Sequence, residues 1–78
     1  MSTAEKLLAK MRQNPRDWRI EDLEVVARRF GIRVRKPSGS HAVFQHDDSE
    51  LEVSVPAHRP IKPVYVRQFV ALVEDVQR

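Results

Sequence analysis

Gly31 divides this chain into two kinds of pattern, and that division constrains the fold more than any other feature. Up to Phe30 the apolar residues recur at helical spacing; immediately after Gly31, Ile32 and Val34 alternate with Arg33 and Arg35. A period near 3.6 buries one stripe of a helix, and a period of two buries one face of a strand. Before the switch, Ile20, Leu23, Val26, Ala27 and Phe30 form the apolar stripe, with Glu21, Asp22, Glu24, Arg28 and Arg29 on the other side. The acids fall in the first turns and the arginines in the last, as the helix dipole prefers. Asp17 is the expected N-cap of this helix and Gly31 its C-terminal stop.

The remaining segments follow by the same reasoning. Ser2 and Glu5 have capping-box spacing, which predicts a short helix over 3–13 that stops at Asn14-Pro15. With only Leu7, Leu8 and Met11 as large apolar residues, this helix is expected to dock loosely. Beyond the first strand, Pro37-Ser38-Gly39-Ser40 reads as a turn, His41–His46 as a second strand and Asp47-Asp48-Ser49-Glu50 as a second turn. Leu51, Val53 and Val55 alternate with Glu52 and Ser54 in a third strand, and such short links dictate an antiparallel meander. Pro56, Pro60 and Pro63 stiffen the next connection, and Pro63 suits the first position of a helix. Val66, Phe69, Val70, Val73 and Val76 mark that helix as amphipathic. The expectation is an α+β fold with a three-stranded antiparallel sheet, helices on one face and the other face open. At 78 residues there is room for one domain, with 1–17 as a helical extension and 18–76 as the core.

Composition narrows the function classes. The absence of cysteine excludes a disulfide scaffold, a Cys-ligated zinc site and a thiol nucleophile, and it fits a reducing cytoplasm. Apolar runs are far shorter than the ~20 residues of a membrane-spanning helix. The polar start MSTAEKLLAKMRQ is unlike a signal peptide. The expected setting is therefore cytoplasmic, with no membrane association.

Net charge is only +3, but it is unevenly spread. Residues 31–46 carry Arg33, Arg35, Lys36, His41 and His46 with no acid, and 53–70 carry Arg59, Lys62 and Arg67 with none. Between them stand Asp47, Asp48, Glu50 and Glu52. If the acidic block is a hairpin tip, the two basic stretches lie on adjacent elements and form a surface for phosphate, hence for nucleic acid. The bland alternative is a solubilising surface. Burying Ala42 and Phe44 turns His41, Val43 and Gln45 to the open face, along with Arg33, Arg35, Glu52 and Ser54, while Ile32, Val34, Leu51, Val53 and Val55 face the helices. An imidazole at His41 can move a proton near neutral pH while arginines hold a phosphate; a plain surface histidine is the competing reading. His46 faces the opposite way and reads as a capping residue beside Asp47 and Asp48. His58 reads as a loop histidine within reach of the basic face. Trp18 and Tyr65 read as packing at helix starts, and the three histidines lack metal-ligand spacing.

Gly39-Ser40-His41, set after a helix ending in Gly31 and a basic strand, resembles the signature of the HicA toxins, small bacterial RNA-cleaving proteins paired with HicB antitoxins. The likeness continues through Phe44, Val53-Ser54-Val55-Pro56, His58 and Lys62, and spans roughly residues 18–76. It implies an α-β-β-β-α fold like double-stranded-RNA-binding domains. The implied activity is metal-independent mRNA cleavage that arrests translation, with no cofactor, neutralised when the antitoxin covers the site. His41 is the implied catalytic residue, a general base for a 2′-hydroxyl. Arg33, Arg35 and Lys36 would neutralise the phosphorane, and Gly39 and Ser40 would let the turn approach RNA closely. His58, or less directly Lys62, would supply the proton for the leaving oxygen. Two departures stand out: Ala42 replaces a frequent second histidine, and Pro63-Val64-Tyr65 replaces a common Gly-Thr. Residues 1–17 extend beyond the common pattern. From the residues alone, a non-catalytic RNA-binding module on the same basic face, or a protein-interaction surface, remains open.

Overall fold

The structure, a computed structural model, describes residues 2–57 and 59–77. Helix α1 (Thr3–Gln13) opens on a complete capping box: the Ser2 hydroxyl accepts from the Glu5 N–H at 3.2 Å, and the Glu5 carboxylate accepts from the Ser2 N–H at 3.0 Å. The Ser2 backbone N–H, and then its hydroxyl, hold the Glu5 carboxyl below the usual carboxylate range. The helix ends at Asn14, whose extended backbone is what a residue before proline adopts. Loose docking is not what the structure shows. Ala4, Leu8 and Met11, at i, i+4 and i+7, are all buried, Met11 to 1% exposure, and Leu7 packs at the edge of the same core. Arg12 adds an ion pair to Glu74 at 2.9 Å.

Helix α2 (Ile20–Arg29) is not capped by Asp17, which stands outside it with a left-handed φ of 65°. The segment before the helix forms its own turn instead: Asn14 accepts from Arg16 N–H through its side chain (3.1 Å) and from the Trp18 indole through its carbonyl (2.7 Å). Asp22 then serves the helix start from within, accepting from the Arg19 N–H at 3.1 Å. At the other end Gly31 takes φ 69°. Its N–H bonds the Arg28 carbonyl (3.4 Å), and the Ile32 N–H reaches back to Ala27 (2.9 Å). This is the paired-bond termination that a left-handed glycine permits, with Ile32 and Ala27 both buried beneath it.

Strands β1 (Arg33–Ser38), β2 (His41–Gln45) and β3 (Glu52–Pro56) form an antiparallel sheet in chain order. Arg35 pairs with Val43 and Val43 with Ser54; Val34 pairs with Phe44 and Phe44 with Val53. The β1–β2 register shifts between Arg35 and Ser38. Helix α3 (Pro63–Gln77) starts at its proline, as expected. Helix α2 packs on β1, α3 on β3, and α1 lies across α2 and α3. All three helices are thus on one side, and the α-β-β-β-α order forms the open-faced α+β arrangement of double-stranded-RNA-binding domains.

Phe44 and Phe69, both fully buried, meet edge to face with centroids 4.9 Å apart at the middle of the core. Leu51 departs from the alternation, since it precedes β3, is 43% exposed, and turns with the hairpin, where its N–H bonds the Ser49 hydroxyl at 3.0 Å. Ile61 and Leu72 join the core beyond the expected set. Ile61 is drawn in by its N–H bond to the Trp18 carbonyl at 2.8 Å.

Two outcomes follow from these helix ends. Gly31→Ala forces a side chain into the left-handed region and should cost about 1 kcal/mol, lowering the thermal midpoint by about 4–8 °C; an unchanged midpoint would refute the assignment. Glu5 titrates lower in the folded chain than in the unfolded one. Its contribution is therefore complete above the unfolded value and lost as pH falls through the folded one. Amide protection in the first turn of α1 should drop on acidification, and Glu5→Gln should abolish that pH dependence.

Candidate nucleic-acid interface

The side of the sheet away from the helices carries three rows set by the register. His41 and Pro56 form one, Arg35, Val43 and Ser54 the next, and Arg33, Gln45 and Glu52 the last. His41 therefore lies at one end of the middle strand and the acidic turn at the other. Between them Arg35 Nε donates to Gln45 Oε1 (3.0 Å), and Gln45 Nε2 donates to Glu52 Oε2 (3.1 Å). Arg33 reaches the acidic turn, 2.8 Å from Asp47. Val43 faces this side as expected, yet it is only 6% exposed, because it sits on the central strand between Arg35 and Ser54. The basic face is thus partly neutralised from within.

His41 is exposed, and its Nδ1 lies 3.2 Å from the Ser40 hydroxyl. That contact occupies one ring nitrogen and leaves Nε2 for a ligand. The Ser40 carbonyl accepts from the Ala57 N–H at 2.8 Å, which ties the Gly-Ser-His turn to the end of β3. Gly39 is not required here by backbone conformation, because its φ lies outside the left-handed region. A Cβ built on it would meet nothing within 4 Å.

Lys36 does not join Arg33 and Arg35. Alternation along β1 sends it to the helix side with Val34, where its ammonium lies 2.8 Å from Glu24 on α2. Arg59 sits near it, 2.8 Å from Glu21. Ile20, Glu21, Glu24, Lys36, Ala57 and Arg59 line a cleft of about 270 Å³ beside the Ser40–Ala57 bond. The Glu21 carboxyl is held below the usual carboxylate range, first by its own backbone amide at the helix start and then by Arg59 and Arg19. Lys62 is exposed at the head of α3, where its carbonyl accepts from Tyr65 (3.0 Å) and Val66 (3.4 Å). Arg67 lines a different groove, with Met11 and Arg12, so the basic stretch 53–70 does not form one surface. His58 lies outside the described residues.

His46 acts as the turn cap expected of it: Nδ1 accepts from the Asp48 N–H at 2.9 Å, and Nε2 lies 3.7 Å from where a Cβ on Gly31 would stand. Trp18 and Tyr65 pack against the core. Among the described residues no three His, Cys, Asp or Glu side chains are grouped to hold a metal ion, and no helix is long and apolar enough to cross a membrane. Sequence reasoning missed the place of Arg59 in the cleft that reaches Ala57. Its only sequence signal was membership of an acid-free stretch, which says nothing about which neighbours it meets.

Comparison with curated proteins and with solved structures gives no match. A family model described as the HicA toxin of bacterial toxin–antitoxin systems matches residues 20–74, from the first residue of α2 to the last turns of α3. With that much of a 78-residue chain matched, and with the expected order of elements, the chain belongs to the HicA toxin family and is the toxin of a toxin–antitoxin pair, with a cognate antitoxin as its partner.

Proposed function

We propose that this toxin is an endoribonuclease that cleaves mRNA in the cytoplasm and so inhibits translation, with His41 as its catalytic residue. One observation carries the reading: an exposed imidazole ends the open sheet face, on a turn whose glycine has open space around it. With Nδ1–H donating to the Ser40 hydroxyl, Nε2 is the basic nitrogen. It takes the proton of a ribose 2′-hydroxyl, and the 2′-oxygen bonds to the adjacent phosphorus. The bond from phosphorus to the 5′-oxygen breaks, leaving a 2′,3′-cyclic phosphate and a 5′-hydroxyl. His58 is the first choice to protonate the leaving oxygen, and Lys62 the second. The step needs no metal ion or cofactor.

Arg35 and Arg33 stabilise charge on the phosphorane and on neighbouring phosphates. Their partners Gln45 and Asp47 are exposed enough to be exchanged for phosphate, since surface pairs are worth ~0–1 kcal/mol. Gly39 gives RNA room to approach the turn. A HicB-type antitoxin neutralises the toxin by covering this same open face.

The deciding comparison is wild type against His41→Ala on a long single-stranded mRNA with chelator present. Wild type should cleave, and His41→Ala should lose at least ~10²-fold in rate with unchanged circular dichroism. A folded and active His41→Ala protein would sink the assignment. RNA bound but cut by neither protein would favour a non-catalytic RNA-binding module on the same face. Gly39→Ala separates fold from function: its stability should stay within ~0.5 kcal/mol of wild type, while cleavage falls. Equal activity would show that no close approach occurs there.

A further inference from the structure

Two cations flank the Gly-Ser-His turn on the helix side, and the structure treats them differently. Lys36 is paired with Glu24, whose side chain is only 21% exposed, so withdrawing the ammonium would strand a largely covered carboxylate. Arg59 is paired with Glu21, and both ends of that pair are open, at 68% and 59% exposure. Glu24 and Glu21 stand one helical turn apart on α2, so one helix face supplies both counter-ions. The cleft these four residues line reaches Ala57, which is hydrogen-bonded to Ser40, the residue before His41.

We infer that Arg59 is a phosphate-binding residue on the helix side of the Gly-Ser-His turn, held in reserve by Glu21, and that an incoming RNA phosphate displaces the Glu21 carboxylate from its guanidinium. Lys36 stays with Glu24 as a tie between β1 and α2. The physical ground is competition for one guanidinium. An exposed carboxylate partner contributes little, so a phosphate with its greater charge and matching two-pronged geometry replaces it. Glu21 then acts as a built-in competitor that lowers affinity for RNA and sharpens the response to how the strand lies across the turn. The inference rests on the RNA-cleaving reading above and adds to it a residue and its intramolecular mask.

The test measures binding of a 2′-O-methylated single-stranded oligoribonucleotide, which cannot be cut through its own 2′-oxygen, over a range of salt. Glu21→Gln should bind about two- to fivefold tighter, the loss of one exposed pair. Arg59→Ala should bind more weakly, with a slope of log affinity against log salt shallower by ~0.7, one phosphate contact on a single strand. In the Arg59→Ala background Glu21→Gln should have no further effect, and Arg59→Lys should restore part of the slope. Glu74→Gln is the control, because it removes the same charge from the exposed Arg12–Glu74 pair at the other end of α3. Equal tightening by Glu74→Gln and Glu21→Gln would reduce the effect to net charge and overturn the inference. So would an unchanged Glu21→Gln, or variants that alter affinity for the antitoxin protein alone. Absence of RNA binding by the wild type would instead bring down the RNA reading itself, which keeps the two failures distinct.

Discussion

Phe44 pressed edge-on against Phe69 is the contact from which the rest of the arrangement follows. Burying one such side chain contributes ~1.5–3 kcal/mol, and the aromatic pairing adds ~0.5–1.5 kcal/mol. More important is what the contact forbids. Side chains alternate strictly along a strand, so a one-residue slip of β2 would exchange Ala42 and Phe44 for His41, Val43 and Gln45 on the helix side. The same interaction that closes the core thus keeps His41 on the bare face. Its neighbours Val53 and Val34, in register on either side, repeat the constraint across the sheet.

Around that centre the small size of the domain is offset by local devices rather than by a larger core. The Gly31 termination turns the chain from α2 directly into β1 with its carbonyls satisfied. Helix α1 contributes Leu8 and Met11 to the same apolar cluster, although it precedes the residues matched by the family. Because α1 rests on α2 and α3, it thickens the helical layer without approaching the open face. The extension therefore adds core and leaves the open sheet face uncovered.

Charge is organised with equal economy. The acids of the 47–52 turn stand at the far end of β2 from His41, where Asp47 and Glu52 engage Arg33 and, through Gln45, Arg35. At the His41 end the acids come from α2 instead. A protein of net charge +3 can still offer several cations to a polyanion, because most of its ion pairs are exposed and exchangeable.

Much of this was legible in the residues. The change of period at Gly31, the capping box at Ser2 and Glu5, the stop at Asn14-Pro15 and the start at Pro63 all act through nearest neighbours along the chain, so the order and limits of the elements could be read directly. The open face could be enumerated as well, because alternation is a local rule. Gly39-Ser40-His41 singled out the turn as the place to look. What the chain could not disclose required knowing which distant residues meet. Asp17 lost its capping role to Asp22 because Asn14 and Trp18 closed a turn of their own. Leu51 was exposed by the hairpin's curl. Lys36, which alternation already turns to the helix side, found Glu24 there. Arg59 found Glu21 across 38 residues. Local sequence determined the elements and their faces, because backbone sterics and side-chain period act over a few residues. Tertiary structure alone decided which charges are spent on one another and which remain for a ligand, because ion pairing depends on distances that only the packed fold sets.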